Sequence, residues 1–111
     1  MSSAREISIK EIKDEILICL NQMGISVRHI ILFGSRARGD FSKYSDYDIL
    51  IITDNKLSIK EKMEISKKVN LGIAKLLIPS DVIVKSIDEV DYFKHQIGTV
   101  VREALKEGIE I

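Results

Sequence analysis

Three aspartates and one Gly-Ser pair carry the chemistry that this sequence could perform. Gly34 and Ser35 follow the apolar run Ile30 to Phe33. Asp46 and Asp48 stand directly before a second run, Ile49 to Ile52, and Asp81 precedes a third, Val82 to Val84. Glycine at a strand end lets the backbone turn sharply or approach a ligand closely. A helical turn starting at Ser35 would aim its hydroxyl and the neighbouring amides at one spot, which is how backbones cradle phosphate. Alternation along a strand sets Asp46 and Asp48 on one face. Like charges about 5 Å apart repel by about 3 kcal/mol at an effective dielectric near 20, so such a cluster holds protons or cations. Hard carboxylate oxygens beside a phosphate site suit Mg²⁺. Carboxylates, a triphosphate and two metal ions together are the apparatus of in-line displacement at phosphorus. Each part alone is ordinary: Gly-Ser as a turn, Asp-x-Asp as solvated turn residues, Asp81 as a strand-opening polar residue.

The elements that must position these residues are legible from caps and periodicity. Ser8 to Glu11, Ser58 to Glu61 and Ser86 to Glu89 each spell Ser-Ile-x-Glu, a capping box. Helical spacing of apolar residues follows each one. The first helix runs from Ile9 to Met23 and stops at Gly24, and the second runs from Ile59 to Leu77 and is ended by Pro79. The third runs from Ile87 through Val90, Phe93, Ile97 and Val101 to Leu105, with Gly108 as terminator. The first two apolar runs are nearly continuous, as strands covered on both faces are. The expected fold class is therefore α/β (α+β): a small mixed sheet of about three strands flanked by helices, in the order α-β-β-α-β-α. The helix between the second and third strands is long enough for a crossover between parallel neighbours. If the first strand runs antiparallel to the second, Gly34, Ser35 and all three aspartates reach one edge of the sheet. The connection from Gly34 to Tyr47 is long for a hairpin, and such loops are usually functional.

Gly34-Ser35, ten intervening residues, then Asp46-Tyr47-Asp48 resembles the G-S-x10-D-x-D signature of the polymerase-β-like nucleotidyltransferases, with Asp81 matching their third acidic position. From this composition the spacing arises by chance about three times in a thousand. In length the chain is similar to the minimal nucleotidyltransferases, which are commonly paired with a helical HEPN protein. The resemblance implies the polymerase-β-like fold, and Mg²⁺ (two ions) as cofactor with ATP as substrate. It implies that Gly34 and Ser35 hold the β- and γ-phosphates, with Arg36 a candidate to neutralise the leaving pyrophosphate; Arg38 could do the same but reads first as a solvated loop cation balancing the carboxylates. Asp46, Asp48 and Asp81 become the catalytic, metal-binding set, and Asp81 activates the incoming hydroxyl. The implied reaction transfers a nucleoside monophosphate, AMP from ATP, to a hydroxyl of a partner protein, as the antitoxin of a HEPN/MNT pair. Two alternatives stay open: a vestigial module that neutralises a helical partner by binding alone, and a small-molecule adenylyltransferase.

Composition narrows the rest. With 111 residues, 45% apolar and a single proline, the chain is expected to form one globular domain spanning residues 1–111. Lys plus Arg and Asp plus Glu number 17 each, a balance that disfavours broad nucleic-acid binding. The lone Cys19 points to a reducing cytoplasm. Met1 to Glu6 lacks an apolar signal segment, and nothing approaches the ~20 apolar residues of a membrane span. Gly34 to Gly39 spells G-x-x-x-x-G, but Asp40 and Phe41 follow where a P-loop needs Lys and Ser or Thr. His29, before a strand, and His95, on a helix, have no Cys pair to build a zinc site. So small a sheet leaves apolar helix surface uncovered, so a hetero-oligomer with a helical partner is expected.

Overall fold

The computed structural model describes residues 8–111; Met1 to Glu6, weighed above for a signal segment, lies outside the described residues. The elements in chain order are α1 (Ile9–Gln22), β1 (Val27–Phe33), α2 (Ser35–Arg38), β2 (Tyr47–Thr53), α3 (Ile59–Ala74), β3 (Ser80–Ser86), α4 (Ile87–Phe93), α5 (Val100–Glu107) and β4 (Ile109–Glu110). Four strands form one mixed sheet in the order β3-β2-β1-β4. β1 runs antiparallel to β2 and to β4, whereas β2 and β3 are parallel. The central strands are those expected, in the expected relative directions. β4 adds a two-residue strand that periodicity could not reveal.

The serine caps act as the sequence implies. The Ser58 hydroxyl accepts from the Glu61 amide at 3.1 Å, and Glu61 accepts from the Ser58 amide at 2.9 Å. Ser8 accepts from the Glu11 amide at 3.2 Å. At Ser86 the Glu89 carboxylate accepts from both the amide and the hydroxyl, each at 3.1 Å. These bonds satisfy donors that a helix start otherwise leaves free.

Strand alternation sorts the core into two layers. Ile30, Leu32, Ile49, Ile51, Val82 and Val84 pack on one face against Ile12, Ile16 and Leu20 of α1 and Ile65, Val69 and Ile73 of α3. Ile31, Phe33, Leu50 and Ile52 pack on the other face against Val90 of α4 and Val101 and Ala104 of α5. Each fully buried Ile or Leu contributes about 1.5–3 kcal/mol. Burial on both faces explains why β1 and β2 read as unbroken apolar runs. Among the described residues, no helix is long and apolar enough to cross a membrane.

The third expected helix is two. α4 stops at Phe93, and Gly98 takes φ +86°. Thr99 then opens α5, its hydroxyl accepting from the Arg102 amide at 3.2 Å. The apolar period across the break was misleading, because Ile97 is 86% exposed. His95 therefore lies in a turn, and His29 lies within β1. α3 likewise ends at Ala74, short of Leu77, which is solvent-exposed at φ +62°.

Candidate active site

Asp48 and Asp81 are direct neighbours in the parallel register of β2 and β3. Adjacent strands lie about 5 Å apart, which brings the two residues side by side. Asp48 shares its face with Leu50 and Ile52, and Asp81 shares its face with Ile83, which packs on the same cluster. Both therefore belong to the α4/α5 side of the sheet. Asp46 precedes β2 and is exposed, as is Asp81, whereas Asp48 is half-buried. Partial burial raises the Asp48 pKa above its ordinary value, and the carboxylates of Asp81 and then Asp46 raise it further, against a smaller opposite pull from Arg38.

β1 delivers the other half of the site. Its last residue, Phe33, pairs with Asp48, and Gly34 follows in a conformation, φ 72° and ψ −158°, that belongs almost wholly to glycine. A Cβ on Gly34 would overlap the Asp48 carboxylate oxygen Oδ2. The chain then turns directly into α2, as expected for Ser35. The helix's own bonds begin with the Ala37 and Arg38 amides, which donate to Gly34 O at 3.1 Å. The amides of Ser35 and Arg36 are those its geometry leaves for a ligand. The Gly34 amide is engaged differently, donating to Glu107 Oε1 at 3.1 Å.

Arg36 is committed to the loop that carries Asp46. Its Nε and Nη2 both donate to Ser45 O at 3.2 Å, and Nη2 also reaches Lys43 O at 3.4 Å. The guanidinium carbon lies 4.3 Å from the ring centroids of both Phe41 and Tyr47. This combined packing and hydrogen bonding holds the segment 41–46 in one shape. Arg36→Ala is expected to cost about 1–3 kcal/mol and to accelerate amide hydrogen exchange across residues 41–46. Lysine at this position should recover little, having no planar fork to bridge the carbonyls. Unchanged exchange in Arg36→Ala would contradict this role.

The donor set can be tested against a divalent ion. Asp46, Asp48 and Asp81 are hard oxygen donors of one charge, and burial first, then repulsion from Asp81 and Asp46, raises the Asp48 pKa. That chemistry fits Mg²⁺ and not a soft metal. Among the described residues, no three His, Cys, Asp or Glu side chains are already gathered as a metal cage.

Glu107 ends α5 more than seventy residues after Gly34, and no local sequence feature ties the two together. Arg38, which reads from sequence first as a loop cation balancing carboxylates, is paired with Glu107 at 3.1 Å and Asp40 at 3.3 Å. Tyr47 packs against the core, and Tyr44 is exposed.

With this geometry in place, the chain can be set beside known proteins. Residues 14–111 match the family described as "Polymerase beta, Nucleotidyltransferase". "Putative protein adenylyltransferase MJ0141" of Methanocaldococcus jannaschii is 34% identical over 92 residues, covering 77% of this chain and 90% of that protein. A crystal structure of a "putative nucleotidyltransferase" from Sulfolobus solfataricus superposes with a TM-score of 0.58 at 25% identity, over 91% of this chain and 73% of the other. The Shewanella oneidensis complex of a tri-AMPylated HEPN toxin with its MNT antitoxin shares the fold, with a TM-score of 0.54 at 20% identity over 91% of this chain and 69% of that one. A match over nearly the whole chain, with a curated relative above 30% identity, decides the family. The chain belongs to the polymerase β nucleotidyltransferase family.

Proposed function

We propose that this nucleotidyltransferase uses Mg²⁺ to transfer AMP from ATP to a hydroxyl of a helical, HEPN-type partner protein, and serves as that protein's antitoxin in the cytoplasm. The observation that carries the reading is the register pairing of Asp48 with Asp81 directly beside Gly34, where a side chain would collide with Asp48. The relative's name supplies the adenylyl group and the protein acceptor, and the Shewanella complex supplies the kind of partner. Ile59 and Met63 on α3, 74% and 67% exposed, leave apolar surface of the sort a protein partner covers.

In this reading Gly34 brings the backbone close to the triphosphate, and Ser35 offers its hydroxyl and amide to the phosphate oxygens. Arg36 adds its backbone amide, while its guanidinium keeps Asp46 in place. Asp46, Asp48 and Asp81 hold the cations, which when bound neutralise the triphosphate and acidify the attacking hydroxyl. Asp81 orients that hydroxyl and takes up its proton as the bond to phosphorus forms. Its oxygen bonds to the α-phosphorus, the α–β bridge breaks, and pyrophosphate leaves with the bonding pair.

The test incubates purified protein with Mg²⁺, labelled ATP and the protein encoded beside it, in parallel with Asp48→Asn. Label on the partner with wild type alone is the expected result. A complex that forms and neutralises the partner without label, indifferent to the substitution, would overturn catalysis in favour of the binding module. Label on a small molecule but never on the partner would favour the third reading.

A further inference from the structure

The C-terminal segment lies along the strand that leads into the phosphate loop. Ile109 pairs with Leu32 and Glu110 with Ile31, and the Ile111 amide donates to Ile30 O at 2.9 Å. Carried two residues further, this antiparallel register sets Glu107 opposite Gly34. The Glu107 carboxylate accepts from the Gly34 amide at 3.1 Å and, through both oxygens, from Arg38 Nη1 at 3.1 Å. One side chain thus holds both ends of α2: the residue before its first and the residue that is its last. Gly108 makes the approach possible, because a Cβ there would overlap Ala104 O and Ile31 Cγ2 and crowd Leu32 O at 3.1 Å.

We propose that Glu107 is a positioning residue for nucleotide binding, a clamp by which the last helix fixes the start and pitch of α2 relative to Asp48. This deepens the transfer reading and rests on it. Gly34 is buried, and an unpartnered buried amide is costly, so a charge-assisted bond from α5 is a strong way to fix its direction. A helix of four residues has too few internal bonds to fix its own axis. Arg38 offsets the charge that Glu107 brings near the acidic set.

The experiment compares wild type, Glu107→Ala and Glu107→Gln in two measurements. In amide NMR, the Gly34 proton should move upfield in Glu107→Ala and stay near its wild-type position in Glu107→Gln, whose amide oxygen still accepts. In titrations with Mg²⁺ and AMP-PNP, affinity should fall about tenfold in Glu107→Ala and recover to within about threefold in Glu107→Gln. If Glu107→Ala does not fold, Glu107→Asp is read in its place, because its carboxylate is one methylene too short to reach Gly34. Unchanged or tighter binding in Glu107→Ala, beside a wild type that binds, would overturn the clamp alone. A wild type that binds no AMP-PNP would overturn the transfer reading and the clamp with it.

Discussion

Asp48→Asn is expected to lower nucleotidyl transfer by about a thousandfold or more while making the metal-free protein more resistant to heat. The loss follows from removing the one carboxylate that is both half-buried and flanked by Asp46 and Asp81. Metal-assisted stabilisation of developing charge is worth several kcal/mol, and about 4 kcal/mol is a thousandfold in rate. The gain in stability follows from the raised pKa of Asp48. The folded state holds this proton more tightly than the unfolded chain does. Its stability contribution is therefore present at low pH and is lost as pH rises from the ordinary carboxylate range through the raised value. Near neutrality the ionised Asp48 is a net cost to folding, discounted for its exposure to solvent. The variant should melt higher than wild type at pH 7 without metal, and the difference should vanish below the ordinary carboxylate range. Mg²⁺ should raise the midpoint of wild type more than that of the variant. Equal midpoints across the pH range would contradict the electrostatic argument, and retained transfer would contradict the assignment of the site.

Gly34→Ala is the second large effect, and it acts through geometry. At φ 72° and ψ −158° an alanine is strained by about 1–3 kcal/mol, whatever surrounds it. Its Cβ would also overlap Asp48 Oδ2, so the carboxylate must leave its position beside Asp81. A displacement of about 1 Å in a catalytic group can cost about a hundredfold, and transfer should fall by at least that much. The thermal midpoint should fall by about 4–8 °C for each kcal/mol of strain. A double-variant cycle separates the two causes. Combining Gly34→Ala with Asp48→Ala relieves the overlap but not the backbone strain, so the double variant should be more stable than the two single changes added together would make it. Strict additivity would show that the methyl group and the carboxylate never meet.

Local signals were read well where local physics decides the outcome. The serine caps at Ser8, Ser58 and Ser86 and the glycine stop at Gly24 depend on neighbours a few residues away. Unbroken apolar runs flanking Gly34 and Asp48 follow from burial on both faces of a sheet. Ile97 shows the opposite case: it keeps helical spacing yet sits exposed in a turn, because Gly98 and Thr99 end one helix and begin the next. Gly98-Thr99, a glycine at positive φ followed by a helix cap, is the local feature that marks this break.

Residue types and spacings alone settle that a glycine, a serine and three aspartates stand at the ends of buried strands, since hydrophobic runs and caps are properties of contiguous chain. Which of these residues become neighbours is a matter of strand order and register, set by packing between segments far apart in sequence. Only the fold pairs Asp48 with Asp81, bonds the Arg36 guanidinium to the carbonyls of Lys43 and Ser45, and brings Glu107 to the Gly34 amide. A hydrogen bond spanning more than seventy residues leaves no trace in any short window, because its geometry exists only once the sheet has formed.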